Sequence, residues 1–396
     1  MTAITPPRGP LPRQDVLREI TDRAVLDEVL LRGRVTRAEV AARTGISKPT
    51  ISAAIARLEV AGLLAAAGSR TGHRGRVATF YELAPGSGWV LALDVDADGV
   101  HTRSADLTGA VFDDHDHPPV APGDVAAMVR RVRAAVRRSV RVGTERHGDV
   151  RAVALSVANA VNPATGEILA LPNAPFPEGL LDPARVFADL VPVGVLVEND
   201  INCAALAEHR GGGAVGVLDF AYLFVGAGLG QGLYVGGHLV RGAHGLAGEV
   251  GYLATQVGAT GYSTLVGALA IRGLSRAESS ALDVEAVADA LSLAPESPSA
   301  RPPGSVEALG QAIGQVIVDT CAIVDPELVL LGGPLGREPA LLAIARRTVH
   351  ELSPSPVRIE LGALGESASL QGALHLALDR ARATLPTSYR SDGAAG

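Results

Sequence analysis

Apolar residues near the start of the chain recur at helical spacing and then at strand spacing. Val25, Leu26, Val29 and Leu30 share one side of a first helix, predicted to begin near Asp22 and to end before Gly33. Thr36 with Glu39 three residues later is a capping-box pattern, opening a second helix that runs to Thr44. Gly45 can take the left-handed conformation that ends it. Ser47 suits the N-cap of a third helix, with Pro49 tolerated in its first turn. There Ile51, Ile55 and Leu58 fall at i, i+4 and i+7, which predicts a buried stripe. Residues 63–66 and the strand-forming VATFYEL of 77–83 predict two strands flanking the glycine-containing GSRTGHRGR. Two helices in tight sequence, followed by a two-stranded wing, describe a winged helix-turn-helix.

The remaining chain alternates between the two periods. APGSG at 84–88 reads as a linker, and WVLALDVD, GVHTRSADL and a strand starting near Ala110 predict an antiparallel opening. Val125, Met128, Val129, Val132 and Val136 predict an amphipathic helix over about 122–140. Strands are expected at 149–157, 193–199 and 217–226, then in QGLYVGG, PELVLLGG and VRIELGAL. Helices are expected from near Ile201, through EALGQAIGQVIVDTCAIV, and over about 367–383. Mixed sheets with helices on their faces follow from such alternation. Residues 294–304 read as a polar, proline-rich insertion and 386–396 as a flexible tail. The expected division is 1–84 (ordered from about 14), 85–385 in two lobes, and the tail.

Charge changes this picture. The chain carries a formal net charge of -7, yet residues 1–85 hold 13 basic and 8 acidic residues against 22 and 34 in the rest. A small basic module on an acidic body suits a protein that meets DNA through one end only. The sequence shows no apolar run of the length a membrane helix needs, about 18–20 residues, and no secretory h-region at its start, so cytoplasmic residence is expected. Two isolated cysteines, Cys203 and Cys321, supply no zinc framework and read as buried thiols.

Within the third helix, Lys48, Pro49, Thr50, Ser52, Ala53 and Arg57 are left on faces other than the buried stripe. Thr50 and Ser52 can hydrogen-bond bases or phosphate, and Ala53 can lie against a thymine methyl. Lys48 suits a phosphate or a base equally. Arg70, His73, Arg74 and Arg76 at the wing tip suit the backbone or the minor groove. In the body, Asn173, Glu198, Asn199, Asp200, Asn202 and Glu249 lie near strand ends, where amides and carboxylates can bind a hydroxyl-rich ligand. Asp200 and Asn202 are equally suited to capping the following helix.

TRAEVAARTGISKPTISAAIARLEVAGLL with GHRGRVATFYEL, ENDINCAALAEHR, GAGLGQGLYVGGHLVRGAHGLAGEVGY, and VDPELVLLGG with LQGAL together resemble the ROK family, in its regulator branch, over residues 20–385. The resemblance implies an α/β chain: an N-terminal winged helix-turn-helix plus a two-lobed fold of the sugar kinase, actin and Hsp70-type ATPase kind with mixed sheets. It matches Asp200 to the catalytic base of kinase members. Asn173, Asn199 and Glu249 match sugar-hydroxyl ligands. Gly226, Gly228 and Gly230 match a phosphate loop, and Gly332 with Gly333 the turn beside adenosine. Three motifs depart from the family. The D-x-G-G-T phosphate loop reads Asp94-Val95-Asp96-Ala97-Asp98, and G-x-P-G-x-V-D reads Ser156-Val157-Ala158-Asn159-Ala160-Val161-Asn162. The zinc motif has Tyr252, Thr255, Val257 and Tyr262 in place of its His and Cys ligands, so its loop is expected to be held by apolar and aromatic packing. Thr264 replaces a sugar-binding Glu.

The expectation is therefore a DNA-binding regulator, a homodimer or homotetramer on a pseudo-palindromic double-stranded operator. A sugar or sugar-derived effector is expected in the cleft, bound by Asn173, Asn199, Asp200, Glu249, Tyr252 and Thr264. No cofactor, metal, membrane partner or enzymatic activity is expected. The alternatives are an ATP-dependent sugar kinase with a DNA-binding appendage and a ligand-independent DNA-binding structural protein.

Overall fold

The computed structural model describes residues 14–71, 77–172, 176–257, 261–276, 281–292, 305–354 and 356–385. α1 (Gln14–Arg32) buries Val25, Leu26 and Val29, but it begins about two turns before Asp22. Val16, Leu17 and Ile20 in those turns are exposed, so no buried stripe announces the early start. β1 (Val35–Thr36) is a two-residue strand hidden in the capping signal of α2 (Arg37–Thr44). Both halves of the capping box form, and Gly45 closes α2 at φ 71 with its N–H donated to Ala41. α3 (Lys48–Val60) starts from Ser47. β2 (Leu64–Thr71) and β3 (Val77–Leu83) complete an antiparallel sheet ordered β1-β3-β2.

The first lobe contains β4 (Trp89–Asp96), β5 (Gly99–Asp106), β6 (Val111–His117), α4 (Val125–His147), β7 (Val150–Val157), α5 (Pro183–Phe187) and β8 (Val195–Asn199). α4 outruns the predicted 122–140 because the helix continues to Gly148, whose φ of 77 ends it. Its Gly143 sits against the Trp89 ring, where an added Cβ would lie 2.3 Å from the indole. The sheet order is β6-β5-β4-β7-β8, antiparallel through β4 and parallel from β4 to β8.

α6 (Asp200–Gly211) leads into the second lobe: β9 (Phe220–Val225), β10 (Leu229–Val235), β11 (His238–Val240), β12 (Ala254–Val257), β13 (Gly261–Thr264), α7 (Leu265–Ile271), α8 (Val284–Ser292), α9 (Ser305–Ile323), β14 (Leu328–Gly332), α10 (Gly333–Gly336), α11 (Pro339–Leu352) and β15 (Arg358–Leu361). Its sheet, β11-β10-β9-β14-β15, repeats the first: three antiparallel strands, then two parallel ones. The chain then returns as α12 (Ala368–Thr384) to the first lobe.

Alternation of side chains sorts the layers. Leu91, Leu93 and Val95 face α4, whereas Val90 and Ala92 face α12. Phe220, Tyr222 and Leu330 face α6, whereas Leu223, Val225 and Leu331 face α9 and α11. α6 and α12 thus lie between the two sheets, so closely that a Cβ on Gly372 would meet the Cys203 carbonyl at 1.9 Å. Cys203 and Cys321 are both buried and not joined in a disulfide.

Two expectations need correction. α9 is long and apolar enough by length and composition to cross a membrane, with 50% of its 18-residue window Val306–Ile323 buried. Interspersed Gly, Gln and Thr hid that length from a search for unbroken apolar runs; Leu309, Ile313, Val316 and Ile317 join the second lobe's core. Nor is 84–88 a free linker. Ser87 is buried, bridges to Gly148, and accepts from the Arg151 guanidinium at 2.9 Å.

A candidate nucleic-acid interface and a ligand cleft

α3 divides cleanly. Ile51, Ala54, Ile55 and Leu58 are buried against α1 and α2, and Lys48, Pro49, Thr50 and Ala53 face solvent, with Ser52 half-buried. Thr50 shares its hydroxyl with Ser47 at 2.7 Å, which fixes the first turn. Arg57 does not join this face. Its Nε donates to Asp22 Oδ2 at 3.1 Å and its Nη2 to Oδ1, with the Asp22 side chain only 2% exposed. Arg57, expected on the DNA-facing side, instead clamps α3 to α1 through Asp22. Burial pushes the Asp22 carboxyl above its ordinary range, outweighing the pull of Arg57. The Arg70 side chain, His73, Arg74 and Arg76 lie outside the described residues.

The polar residues of the expected ligand site gather at the carboxyl ends of the parallel strands of the first lobe. Asp94 is in register with Ser156, and Ser156 with Glu198. Asp200 follows directly on β8. Glu249 comes from the other lobe, one residue beyond Gly248, whose carbonyl accepts from Gln231 in β10 at 2.8 Å. Asn199, not Asp200 or Asn202, is the N-cap of α6; its Oδ1 accepts from the N–H groups of Ile201 and Asn202, both at 3.0 Å. Its Nδ2 donates to Asp200 Oδ1 at 2.9 Å, so the cap also orients the carboxylate. Asn202 instead donates to Glu198 at 3.0 Å. Burial first, then the charges of Asp94, Asp96 and Glu249, raise the Asp200 carboxyl well above its ordinary range. Burial raises Glu249 as well.

Tyr252 donates its hydroxyl to the Pro172 carbonyl, and burial with the neighbouring Glu249 charge raises its pKa. Thr264 is the N-cap of α7, accepting from Gly267 at 3.2 Å, a structural duty that its sequence position did not announce. It pairs across the β12–β13 hairpin with Ala254. Asn173 lies outside the described residues. That hairpin also replaces the expected apolar and aromatic packing of the zinc-motif loop: Thr255 pairs with Ser263 and Gln256 with Tyr262, whose ring is 76% exposed. Among the described residues no group of three metal-ligating side chains forms.

A nucleotide does not fit these residues. Asp96 Oδ1 accepts from the backbone N–H groups of Asp98 at 2.9 Å and Gly99 at 3.1 Å, so the β4–β5 turn spends on its own carboxylate the amides that could cradle phosphate. Burial, with Asp94 nearby, raises the Asp96 carboxyl to about 6. Gly230, one of the glycines matched to the second phosphate loop, and Gly232 just beyond it serve packing. An added Cβ would meet Ile201 at 2.2 Å from Gly230, and Ala205 at 2.7 Å from Gly232, so α6 rests directly on β10. At the other glycine turn, the Tyr222 hydroxyl abuts Gly332, and the Phe224 ring lies against both Gly226 and Gly333.

Sequence reading missed two partners. Arg241 in the second lobe pairs with Glu198 of β8, which is only 8% exposed. Ser369 at the start of α12 donates to Asp94 Oδ2. Neither carries a local signal, since both partners are remote in sequence.

The family profile described as ROK family matches residues 124–380, and one described as MarR family matches 20–75. The chain is 24% identical over 238 residues to the xylose repressor of Caldicellulosiruptor bescii, covering 60% of this chain and 59% of that protein. It is 29% identical over 167 residues to the glucokinase of Streptomyces coelicolor, covering 42% of this chain and 50% of the enzyme. The chain thus spans well under two thirds of these relatives. A solved ROK family transcriptional regulator, described as a homolog of the E. coli MLC protein, shares the fold with a TM-score of 0.66 at 19% identity, covering 93% of this chain and 98% of that one. A Streptomyces griseus ROK glucokinase shares the body alone, with a TM-score of 0.54 at 24% identity over 73% of this chain and 99% of that one.

Proposed function

The chain belongs to the ROK family, and from that premise we propose that it is a cytoplasmic DNA-binding transcriptional repressor, released by a sugar or sugar-derived effector bound between its lobes. The observation that carries this reading is the exposed first turn of α3, where Lys48, Pro49, Thr50 and Ala53 stand clear of a fully packed helix-turn-helix core. A helix presented by its N-terminal turn is the geometry that enters a major groove. The wing residues Arg70, His73, Arg74 and Arg76 add backbone or minor-groove contacts. A homodimer or homotetramer would match a pseudo-palindromic operator.

α12 is the physical link from cleft to reader. Ser369 at its start holds Asp94, while near its end Arg382 donates to the Leu107 and Thr108 carbonyls and its own carbonyl accepts from Arg23 of α1. Ala377, Leu378, Ala381 and Leu385 belong to one apolar cluster with Val25, Leu26 and Val29. A ligand that displaces Ser369 from Asp94 shifts a rod packed beneath the reader. A coupling of about 1–3 kcal/mol changes operator affinity about 5- to 150-fold. Phosphate transfer is not part of this reading, because the Asp96 carboxylate occupies the turn amides and adds charge that repels ATP.

Enrichment of genomic fragments by the purified full-length chain tests the proposal. One site should be preferred by several kcal/mol over bulk DNA, and Glu249→Ala should retain that binding while losing effector release. Binding with no sequence preference would overturn it in favour of a structural DNA-binding protein, and Asp200-dependent hexose phosphorylation would overturn it in favour of a kinase.

A further inference from the structure

Resting on the reading of the cleft as an effector site, we infer that the effector carries a protonated amine, as in an amino sugar or an aminocyclitol, with Asp94, Asp200 and Glu249 as its recognition set. Asp94 and Asp96 lie two residues apart on β4, on the face that α12 covers. Asp200 follows β8, which lies beyond β7 and two strands along from β4, and Glu249 of the other lobe is close enough for its charge to act on Asp200. Carboxylates from both lobes therefore gather around Asp200.

The independent observation is Asp94. It is 4% exposed; its Oδ2 accepts from Ser369, and its Oδ1 is buried with no hydrogen-bond partner. A buried carboxylate oxygen without a donor is costly, and an ammonium supplies three donors together with the opposite charge. The nearby cations are already engaged: Arg241 with Glu198, and His101 with Asp116 at 2.7 Å and Asp96 at 3.8 Å. Among the described residues, no arginine or lysine forms an ion pair with Asp94, Asp200 or Glu249. Burial chiefly, and then the charges of Asp94, Asp96 and Glu249, raise the Asp200 carboxyl, and a bound cation would favour its charged form. Phosphorylated sugars are disfavoured by the same charges, since the turn amides are spent on Asp96. Hydroxyl groups on the ligand would meet the remaining carboxylate oxygens.

The test is calorimetric titration of the full-length protein at pH 7.0 in an amine-free buffer. The probes are D-glucosamine, 2-deoxystreptamine, D-glucose, N-acetyl-D-glucosamine and D-glucose 6-phosphate. At least one free amine should bind at least about ten-fold more tightly than either neutral sugar, with no binding of the phosphate ester. Asp94→Asn and Glu249→Gln should each weaken the amine by about ten-fold or more; Glu249 is only half-buried, so its variant tests the claim even where Asp94→Asn fails to fold. A neutral sugar binding as tightly as the amines, or amine binding unchanged in Glu249→Gln, overturns the inference and leaves the sugar-effector reading standing. Failure of every probe to bind, in protein that still holds its operator, overturns both.

Discussion

Replacing Arg57 by alanine separates a structural clamp from a DNA contact. The guanidinium meets both oxygens of Asp22, whose side chain is 2% exposed, while its own is 33% exposed. Removing one partner of a buried pair costs about 3–5 kcal/mol, because the other charge is left without compensation. Water reaches the open end of Arg57, so a loss of about 2–3 kcal/mol is expected here. The Asp22 carboxyl already sits above its ordinary range through burial, and without Arg57 it rises further and takes up a proton. A carboxyl with a raised folded-state pKa contributes stability that is present at low pH and lost as pH rises through that pKa. Arg57→Ala should therefore be more damaging at pH 8 than at pH 5.

Hydrogen exchange of the α1 and α3 amides in the full-length chain reads this locally. Arg57→Ala should speed exchange in both helices, and Asp22→Asn with Arg57→Met should recover all but about 1 kcal/mol, since replacing both partners avoids the stranded charge. Where the variant remains folded, operator affinity should keep the wild-type salt slope. The reasoning is refuted by native exchange rates accompanied by a slope reduced by about one, the mark of a lost phosphate contact.

Arg74→Ala and Arg76→Ala should each weaken DNA binding and lower its salt slope by about one; unchanged slopes in both would remove the wing from the contact set. Asp96, raised to about 6 by burial and by Asp94, with His101 opposing and Asp98 adding, stabilises the fold below its ordinary pKa and loses that contribution as pH climbs through 6. The melting temperature should thus rise as pH falls from 7.5 to 5.5, and Asp96→Asn should flatten that rise; an identical profile in the variant contradicts it. Arg241→Met strands the buried Glu198 carboxylate and should cost about 2–3 kcal/mol in thermal melts, largely restored by adding Glu198→Gln. No loss in the single variant would mean that the pair is not a tie between the lobes.

The sequence made the helix-turn-helix readable because its signals are local. Thr36 with Glu39, Gly45 and Ser47 each act within four residues, and Ile51, Ile55 and Leu58 report burial through their own spacing. The alternation of helix and strand likewise placed both sheets. What escaped depends on partners distant in the chain. Arg57 looked like a surface arginine until Asp22, 35 residues away, occupied it. The Asn199 cap was obscured by Asp200 and Asn202 beside it, both chemically able to take the role. The early start of α1 was invisible because an exposed helical turn has no apolar period.

The retained glycines make the same point about function. Gly230 stands where the resemblance reads a phosphate loop and Gly232 lies just beyond it, yet any side chain at either position would strike α6 through Ile201 or Ala205. Packing alone accounts for them. At the β4–β5 turn the Asp96 carboxylate turns inward onto the Asp98 and Gly99 amides, while α6 and α12 stay packed between the two sheets. The body has two lobes with α6 and α12 between their sheets, and α12 (Ala368–Thr384) runs from the Ser369–Asp94 hydrogen bond to the apolar cluster it shares with α1. Under the proposed reading, these features let occupancy of the space between the lobes displace the helix-turn-helix, so the family's architecture can serve regulation without phosphate transfer.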